Sequence, residues 1–334
     1  MFSFHVVGGR DARQVIARSR GDIIEQVRTT YLLHHDGQTL NPNSYFLRFP
    51  EKPNSRIIAL PAFLGGETGV AGIKWIASFP DNVSRNVPRA SAALLLNDYD
   101  TGYPFACLEA SQISAARTAA SAVVGAEALH RGTTAGKIAI VGAGVIARNI
   151  VEFFQAAGWE VGLYAVHDTV PDYAAKLVRH IGTHGGKASA EPELRAAVDG
   201  ADLVVFATTA GEPYVLEESF FAPGQSVLNI SLRDIGPDIV ASAHNILDDV
   251  DHCLTANTSP HLAQQKFGHH DFVDGTLAQL LTGEISLGDG KPRIFSPFGL
   301  GVLDLAVGMH VYRSALEDGS AVAIPGFFGE TERW

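Results

Sequence analysis

The feature that most limits how this chain can fold is a glycine-rich turn, Val141-Gly142-Ala143-Gly144-Val145-Ile146-Ala147, that arrives only at residue 141 of 334. A turn of this type ordinarily opens a dinucleotide-binding domain. Something substantial must therefore fold ahead of it. Lys137–Val141 reads as a buried strand running into the turn. Gly142 permits a tight bend, and Gly144 removes a side chain so that backbone can approach a pyrophosphate. Ala147 lets the following helix pack closely, with amides from its first residues, Val145 and Ile146, aimed at the phosphates. A plain structural turn remains the alternative. The context favours nucleotide binding, because the motif follows a strand, opens a helix and starts a βαβ alternation.

That alternation continues downstream. Candidate strands are Lys137–Val141, Glu160–Val166, Leu203–Thr208, Ser226–Ser231 and Asn245–Asp248. Candidate helices are Val145–Ala157, Tyr173–Ile181, Glu191–Val198 and Gly236–Ala243. The pattern predicts a doubly wound parallel sheet covered on both faces, an α/β Rossmann architecture. Residues 258–285 read as helical, with a mobile loop around Gly268-His269-His270. A last strand over Arg293–Ser296 precedes a helix over Leu303–Leu316, and residues 323–334 read as a loosely packed tail.

The first part has another rhythm. Residues 11–35 show helical spacing of Val15, Ile16, Ile23, Ile24, Val27 and Tyr31. Short β-like runs follow at Ser44–Phe49, Arg56–Leu60, Val70–Phe79, Ala90–Asn97 and Tyr103–Leu108, separated by Pro, Gly and Asn-Asp clusters. Asp98–Gly102 reads as a hairpin connection. These runs predict an antiparallel sheet. Gln112–Leu129 is Ala-rich and Pro-free, hence a helix, with Ser111 or Ser114 as its cap. The division expected is residues 1–115 with 305–334 as an α+β domain for substrate and dimerisation, and 116–304 as the dinucleotide domain.

A net charge of −11 argues against nonspecific nucleic-acid binding. Only Cys107 and Cys253 are present, without metal-ligand spacing, so two buried thiols are expected. No apolar run is long enough for a bilayer and no signal segment is visible, which reads as a cytoplasmic protein without membrane contact. His34-His35 and His269-His270 lack further spaced ligands, and no metal is expected. Asp248, Asp249 and Asp251 read as a solvated strand end.

Two lone cations stand inside apolar runs. Lys74 lies within Gly72-Ile73-Lys74-Trp75-Ile76, where a buried ammonium is costly unless paired; the alternative is a lysine snorkelling from a sheet edge. Arg117 is the only charge between Ala110 and Gly125. Its planar fork suits a carboxylate, or else an internal salt bridge. Asp234 follows a predicted parallel strand at its carboxyl end, where α/β proteins place ligands; the alternative is a cap on the next helix. Asp168 lies just past the second parallel strand, where an acidic residue would hold the adenosine ribose; the alternative is a solvated loop aspartate. No arginine follows it for a 2′-phosphate, which favours NAD without excluding NADP.

These motifs, in this order, resemble the ornithine cyclodeaminase/mu-crystallin family over nearly the full length. The likeness is carried by Gly72-Ile73-Lys74-Trp75 with Pro80-Asp81-Asn82, Leu96-Asn97-Asp98 with Thr101-Gly102-Tyr103-Pro104, Ser114–Ser121, the Gly142 turn, and Leu228-Asn229 with Asp234. Gly72–Ala77, Arg89-Ala90-Ser91, Asn229–Asp234, Leu277–Ile285 and Ser296–Gly301 are similar to one branch, the N-((2S)-2-amino-2-carboxyethyl)-L-glutamate dehydrogenases, which make 2,3-diaminopropionate for siderophores such as staphyloferrin B. The resemblance implies a Rossmann domain beside a substrate and dimerisation domain built from both chain ends, and a homodimer. It implies an amino-acid substrate, with Lys74 and Asp234 catalytic and Arg48, Lys74, Arg89 and Arg117 on substrate carboxylates. Gly142, Gly144, Val145, Ile146, Asp168, Thr208, Ser231 and Gly299 would hold NAD. Around Arg48, Pro42-Asn43-Ser44 replaces the cyclodeaminase pattern, and the alternative for Arg48 is a plain surface residue. After Asp234, Ile235-Gly236-Pro237 replaces its Pro-Gly-Lys. Ornithine cyclodeaminase, ketimine reductase, alanine dehydrogenase and a non-catalytic binding protein are the other activities within this likeness. Lys74, Arg117 and Asp234 are expected to converge on the nicotinamide.

Overall fold

A computed structural model of the chain describes residues 2–333. In chain order it contains β1 (His5–Val7), α1 (Gly9–Arg18), α2 (Arg20–His35), β2 (Thr39–Leu40), β3 (Tyr45–Phe49), β4 (Lys52–Leu64), β5 (Val70–Ser78), β6 (Ala90–Asp98), β7 (Pro104–Glu109) and α3 (Ser111–His130). The alternating part follows with β8 (Thr134–Val141), α4 (Val145–Ala156), β9 (Glu160–His167), α5 (Pro171–Thr183), β10 (Ala188–Ala190), α6 (Leu194–Val198), β11 (Leu203–Phe206) and β12 (Ser226–Asn229). The chain ends with α7 (Pro237–Ser242), β13 (His244–Leu247), α8 (Val250–Cys253), α9 (Ser259–Phe267), β14 (Val273–Thr276), α10 (Leu277–Thr282), β15 (Arg293–Ser296), α11 (Gly301–Glu317) and β16 (Val322–Ala323). Two compact units result: residues 1–117 with 300–334, and residues 118–299.

In the first unit the sheet order is β16-β1-β7-β6-β5-β4-β2, with β3 also paired to β4. Strands β3 to β7 are antiparallel neighbours, and β1 joins β7 in parallel. Side chains alternate between sheet faces. Leu60, Lys74 and Leu94 stand side by side on one face and are buried. Helix α11 packs on that face, close enough that a Cβ on Gly308 would run into Leu94. Tyr45, Ala59, Trp75 and Ala93 line up on the opposite face, where Tyr45 and Trp75 are exposed.

The second unit has an all-parallel sheet of order β10-β9-β8-β11-β12-β15-β13-β14. Every residue of β11, β12 and β15 is buried, as expected for strands covered on both faces. The order reverses between β8 and β11. That switch point is where doubly wound sheets open a ligand crevice, at the carboxyl ends of the strands.

Several local expectations are corrected. The helix over 11–35 is two helices broken at Ser19, whose hydroxyl donates to the Val15 carbonyl. Helix α3 is capped by neither serine; the Glu109 carboxylate accepts from the Ser111 and Gln112 amides, and Ser114 lies inside the helix. The helical reading of 258–285 is interrupted by β14, because Asn245 and its neighbours offer a free strand edge there. The predicted helix over Glu191–Val198 shrinks to α6, since β10 pairs with β9 just before it. The tail is not loose: β16 pairs with β1, and Phe327 stacks on Phe4 at 3.7 Å. Cys253 is buried, but Cys107 is only partly so.

Candidate active site

The first unit contains a buried ionic cluster. Lys74, mid-strand in β5, is 2% exposed. Its Nζ donates to Asp304 Oδ2 at 2.6 Å and to Ser114 Oγ at 3.2 Å. It does not snorkel from an edge, since β5 is paired on both sides. Burial pulls its pKa down to about 8; Asp304 opposes the fall, and the Arg117 charge adds to it. Arg117 Nε faces Asp304 Oδ1 at 3.4 Å. That approach is an ion pair without hydrogen-bond alignment, so both atoms are buried without a hydrogen-bond partner among the described residues. Two cations thus share one carboxylate. The excess positive charge, in a low-dielectric setting, favours an incoming anion.

Asp304 was missed in the sequence reading. It is the only charge in the run Gly301–Met309, the same signal that singled out Lys74 and Arg117. It lies in the first turn of α11, and the close seating of α11 on the sheet delivers it to Lys74.

In the second unit, Gly142 adopts φ +91°, and a Cβ there would lie 2.6 Å from the Ala207 carbonyl oxygen. The bend is therefore closed to other residues. Gly144 precedes α4, and a Cβ on it would meet nothing within 4 Å. The space that a phosphate needs is present beside the amides opening a twelve-residue helix. Val145 is exposed and Ile146 partly so. Asp168 accepts from the Ala143 amide inside the turn at 2.8 Å and from the Val170 amide at 2.8 Å. It is thus no free loop aspartate but is fixed at the turn. These features fit a dinucleotide.

Asp234 is fully buried in the same unit. Oδ1 accepts from the Thr208 and Tyr214 hydroxyls, and Oδ2 from the Ser231 hydroxyl. It does not cap α7, whose N-cap is Gly236. Thr208 and Ser231 are thereby engaged as its donors. Burial, then the Asp234 charge, pushes the Tyr214 hydroxyl far above its ordinary pKa. Gly299 adopts φ +97° and donates its amide to Asp248, which also accepts from Phe298. Asp248 is 3% exposed, so it is no solvated strand end.

The two other predicted substrate residues lie apart from Lys74. Arg48 is exposed in β3, its guanidinium 5.0 Å from the Phe46 ring centroid. Arg89 is partly buried and approaches Ser78 Oγ at 3.5 Å. Burial lowers its pKa.

A family model, the ornithine cyclodeaminase/mu-crystallin family, matches residues 12–319. The chain belongs to that family. It is 29% identical over 303 residues to an N-((2S)-2-amino-2-carboxyethyl)-L-glutamate dehydrogenase of Staphylococcus aureus, covering 88% of this chain and 89% of the relative. Among solved structures, an archaeal alanine dehydrogenase dimer with bound NAD superposes with TM-score 0.88 at 24% identity, over 98% of this chain and 100% of that one. The Δ1-pyrroline-2-carboxylate reductase of Thermococcus litoralis, in complex with NADH and L-proline, gives 0.87 at 23% identity, over 96% and 99%. No helix among the described residues is long and apolar enough to cross a membrane.

Proposed function

We propose that this protein is an NAD-dependent dehydrogenase that oxidatively hydrolyses N-((2S)-2-amino-2-carboxyethyl)-L-glutamate to 2-oxoglutarate and 2,3-diaminopropionate. The observation that carries the reading is the buried pair of cations, Lys74 and Arg117, sharing Asp304 in a chain that also holds a dinucleotide turn. Similarity to the staphylococcal dehydrogenase supplies the substrate.

When bound, NAD+ supplies the hydride acceptor. The residues of this chain do the rest. The Arg117 fork and the Lys74 ammonium hold a substrate carboxylate and fix the glutamate α-carbon for oxidation. Oxidation leaves a C=N bond, water adds to the carbon, and collapse of the carbinolamine releases both products. Asp234 moves the protons of water addition through the hydroxyls that surround it. Gly142, Gly144 and the amides of Val145 and Ile146 would take the pyrophosphate. Asp168 would take the adenosine ribose, its carboxylate favouring NAD over a 2′-phosphate.

The exposed apolar face of the first unit supports a homodimer. Tyr45 and Trp75 are in register on it, with Leu47 on the same strand as Tyr45. Light scattering should give twice the chain mass, and Trp75→Glu should give a monomer.

The activity test is direct. The pure protein with NAD+ and the aminocarboxyethyl-glutamate adduct should raise reduced-nicotinamide absorbance and accumulate 2-oxoglutarate in equal amount. Ammonia release from ornithine without net NADH would instead identify a cyclodeaminase. Silence with a panel of N-carboxyalkyl amino acids would leave a binding protein.

A further inference from the structure

The segment that carries Asp234 leaves the carboxyl end of β12 and is held by two other loops of the second unit. One follows β11. The Asp234 carbonyl accepts from the Tyr214 and Val215 amides at 3.1 and 3.0 Å, and the Gly236 amide donates to the Val215 carbonyl at 2.8 Å. The other follows α8. There the Ser259 amide donates to the Leu232 carbonyl at 2.7 Å, and the Ile235 amide to Ser259 Oγ at 3.3 Å. Arg233 completes this second attachment. Its Nη2 donates to the Ala256 carbonyl at 2.8 Å and its Nε to the Asn257 carbonyl at 3.2 Å.

Backbone strain gathers at the same contacts. Five non-glycine residues adopt positive φ among the described residues, and three of them meet here: Leu232 at +79°, Ala256 at +53° and Asn257 at +55°. A leucine in this region costs energy and persists only where its surroundings impose it. Asn257 is the milder case, since asparagine tolerates the left-handed region. It is also pinned, its amide donating to His261 Nδ1 at 3.0 Å and its Oδ1 accepting from Gln265 Nε2 at 3.1 Å. Strain of this kind clusters where a precise geometry serves function.

A guanidinium suits the task, because its rigid planar fork reaches two successive carbonyls at once. Burial lowers the Arg233 pKa, and the Asp234 charge opposes the fall. Arg233 and Asp234 are neighbours in sequence, yet their side chains engage different loops. Arg233 takes the carbonyls of residues 256 and 257, while Asp234 takes the hydroxyls of Thr208 and Tyr214 beside that of Ser231. A shift on the Arg233 side therefore reaches the carboxylate through a single peptide unit.

We infer that Arg233 is a positioning residue: by clamping the carbonyls of Ala256 and Asn257 it holds the strained backbone at Leu232 and so fixes the Asp234 carboxylate among its three hydroxyl donors. This rests on the reading of Asp234 as the group that moves protons. It gives the loop of residues 254–258 a part in the reaction without any contact to substrate.

The test joins hydrogen exchange to kinetics on the full chain. In Arg233→Met, amides in peptides spanning 254–260 and 210–217 should both exchange about tenfold faster or more, while a control peptide in β8 keeps its native rate. Arg233→Lys, which can still reach one carbonyl, should lie between, and it carries the comparison if the methionine variant does not fold. Faster exchange confined to 254–260 would make Arg233 a local clamp and overturn the inference. In turnover of the aminocarboxyethyl-glutamate adduct, kcat of Arg233→Met should fall about tenfold or more while KM for NAD+ stays within about twofold. A native kcat in Arg233→Met beside an inactive Asp234→Asn would overturn the positioning role and leave the proposed function standing. An active Asp234→Asn would remove both. If the native chain does not turn over the adduct, the proposed function fails, and the exchange rates at 210–217 alone decide whether Arg233 places Asp234.

Discussion

Lys74 Nζ and Asp304 Oδ2 lie 2.6 Å apart across 230 residues of sequence, and both side chains are essentially sealed from solvent. Their union joins β5 to α11 inside the first unit. A buried pair gives little net stability over an apolar replacement, but breaking it leaves a bare charge in the core. Asp304→Asn should therefore cost about 3–5 kcal/mol in urea unfolding. The double variant Lys74→Met with Asp304→Leu should recover the part of that loss due to Lys74, while Arg117 stays charged without the carboxylate it faces. A double variant as unstable as the sum of its singles would show that the two residues do not act as a pair.

The same burial sets a pH dependence. Lys74 titrates at about 8 in the folded chain against an ordinary 10.5, with Asp304 and Arg117 as the charged groups facing it. Between those values the unfolded chain holds the extra proton, so the contribution of Lys74 to stability rises with pH across the window. Below about pH 8 both states are protonated, and the full cost of burying the ammonium is present. Activity runs the other way, because only the ammonium attracts a carboxylate. The ratio kcat/KM should fall above pH 8, since it reports the free enzyme. Substrate binding favours the charged form, so the corresponding limb in kcat should lie higher. A Lys74→Arg variant with any remaining activity should lose the limb. An alkaline limb that stays at the same pH in that variant would assign it to another group.

How much of this was legible beforehand depends on what carried the signal. Lys74 and Arg117 announced themselves as isolated charges in apolar runs; Asp304 carried the same signal and was passed over, and a lone charge shows nothing of its partner. The pairing arises from the seating of α11, which depends on contacts such as Gly308 on Leu94. Parallel strands were readable because both their faces are buried and their runs are continuously apolar. Short strands such as β1, β10 and β16 were not, since two or three residues carry no period. The break at Ser19 was hidden because the apolar spacing continues through it into α2.

The two glycines of the turn should separate folding from cofactor binding. Gly142 has both a positive φ and a carbonyl in the way of any Cβ, so Gly142→Ala should destabilise the chain by roughly 1–3 kcal/mol and abolish NAD+ binding. Gly144 has neither obstacle. Gly144→Ala should melt like the native chain while losing NAD+ affinity, because the methyl occupies the space offered to the phosphates. Native affinity in Gly144→Ala, measured by fluorescence titration, would place the pyrophosphate elsewhere.

Asp234 offers the last separation. Its carboxylate is enclosed, and of its three hydroxyl donors Tyr214 is the one with a substantially exposed side chain, 43% for the residue. Tyr214→Phe removes a single hydrogen bond to a charge, worth about 1.5–3 kcal/mol, without emptying space. If Asp234 moves protons through these hydroxyls, kcat should fall roughly tenfold or more while KM for NAD+ stays within about twofold. A solvent deuterium isotope effect on kcat should grow at the same time, because the slowed step moves a proton. A purely structural Tyr214 would lower the melting temperature and leave the isotope effect unchanged. Asp234→Asn should abolish turnover in either case, so the informative comparison is the phenylalanine variant.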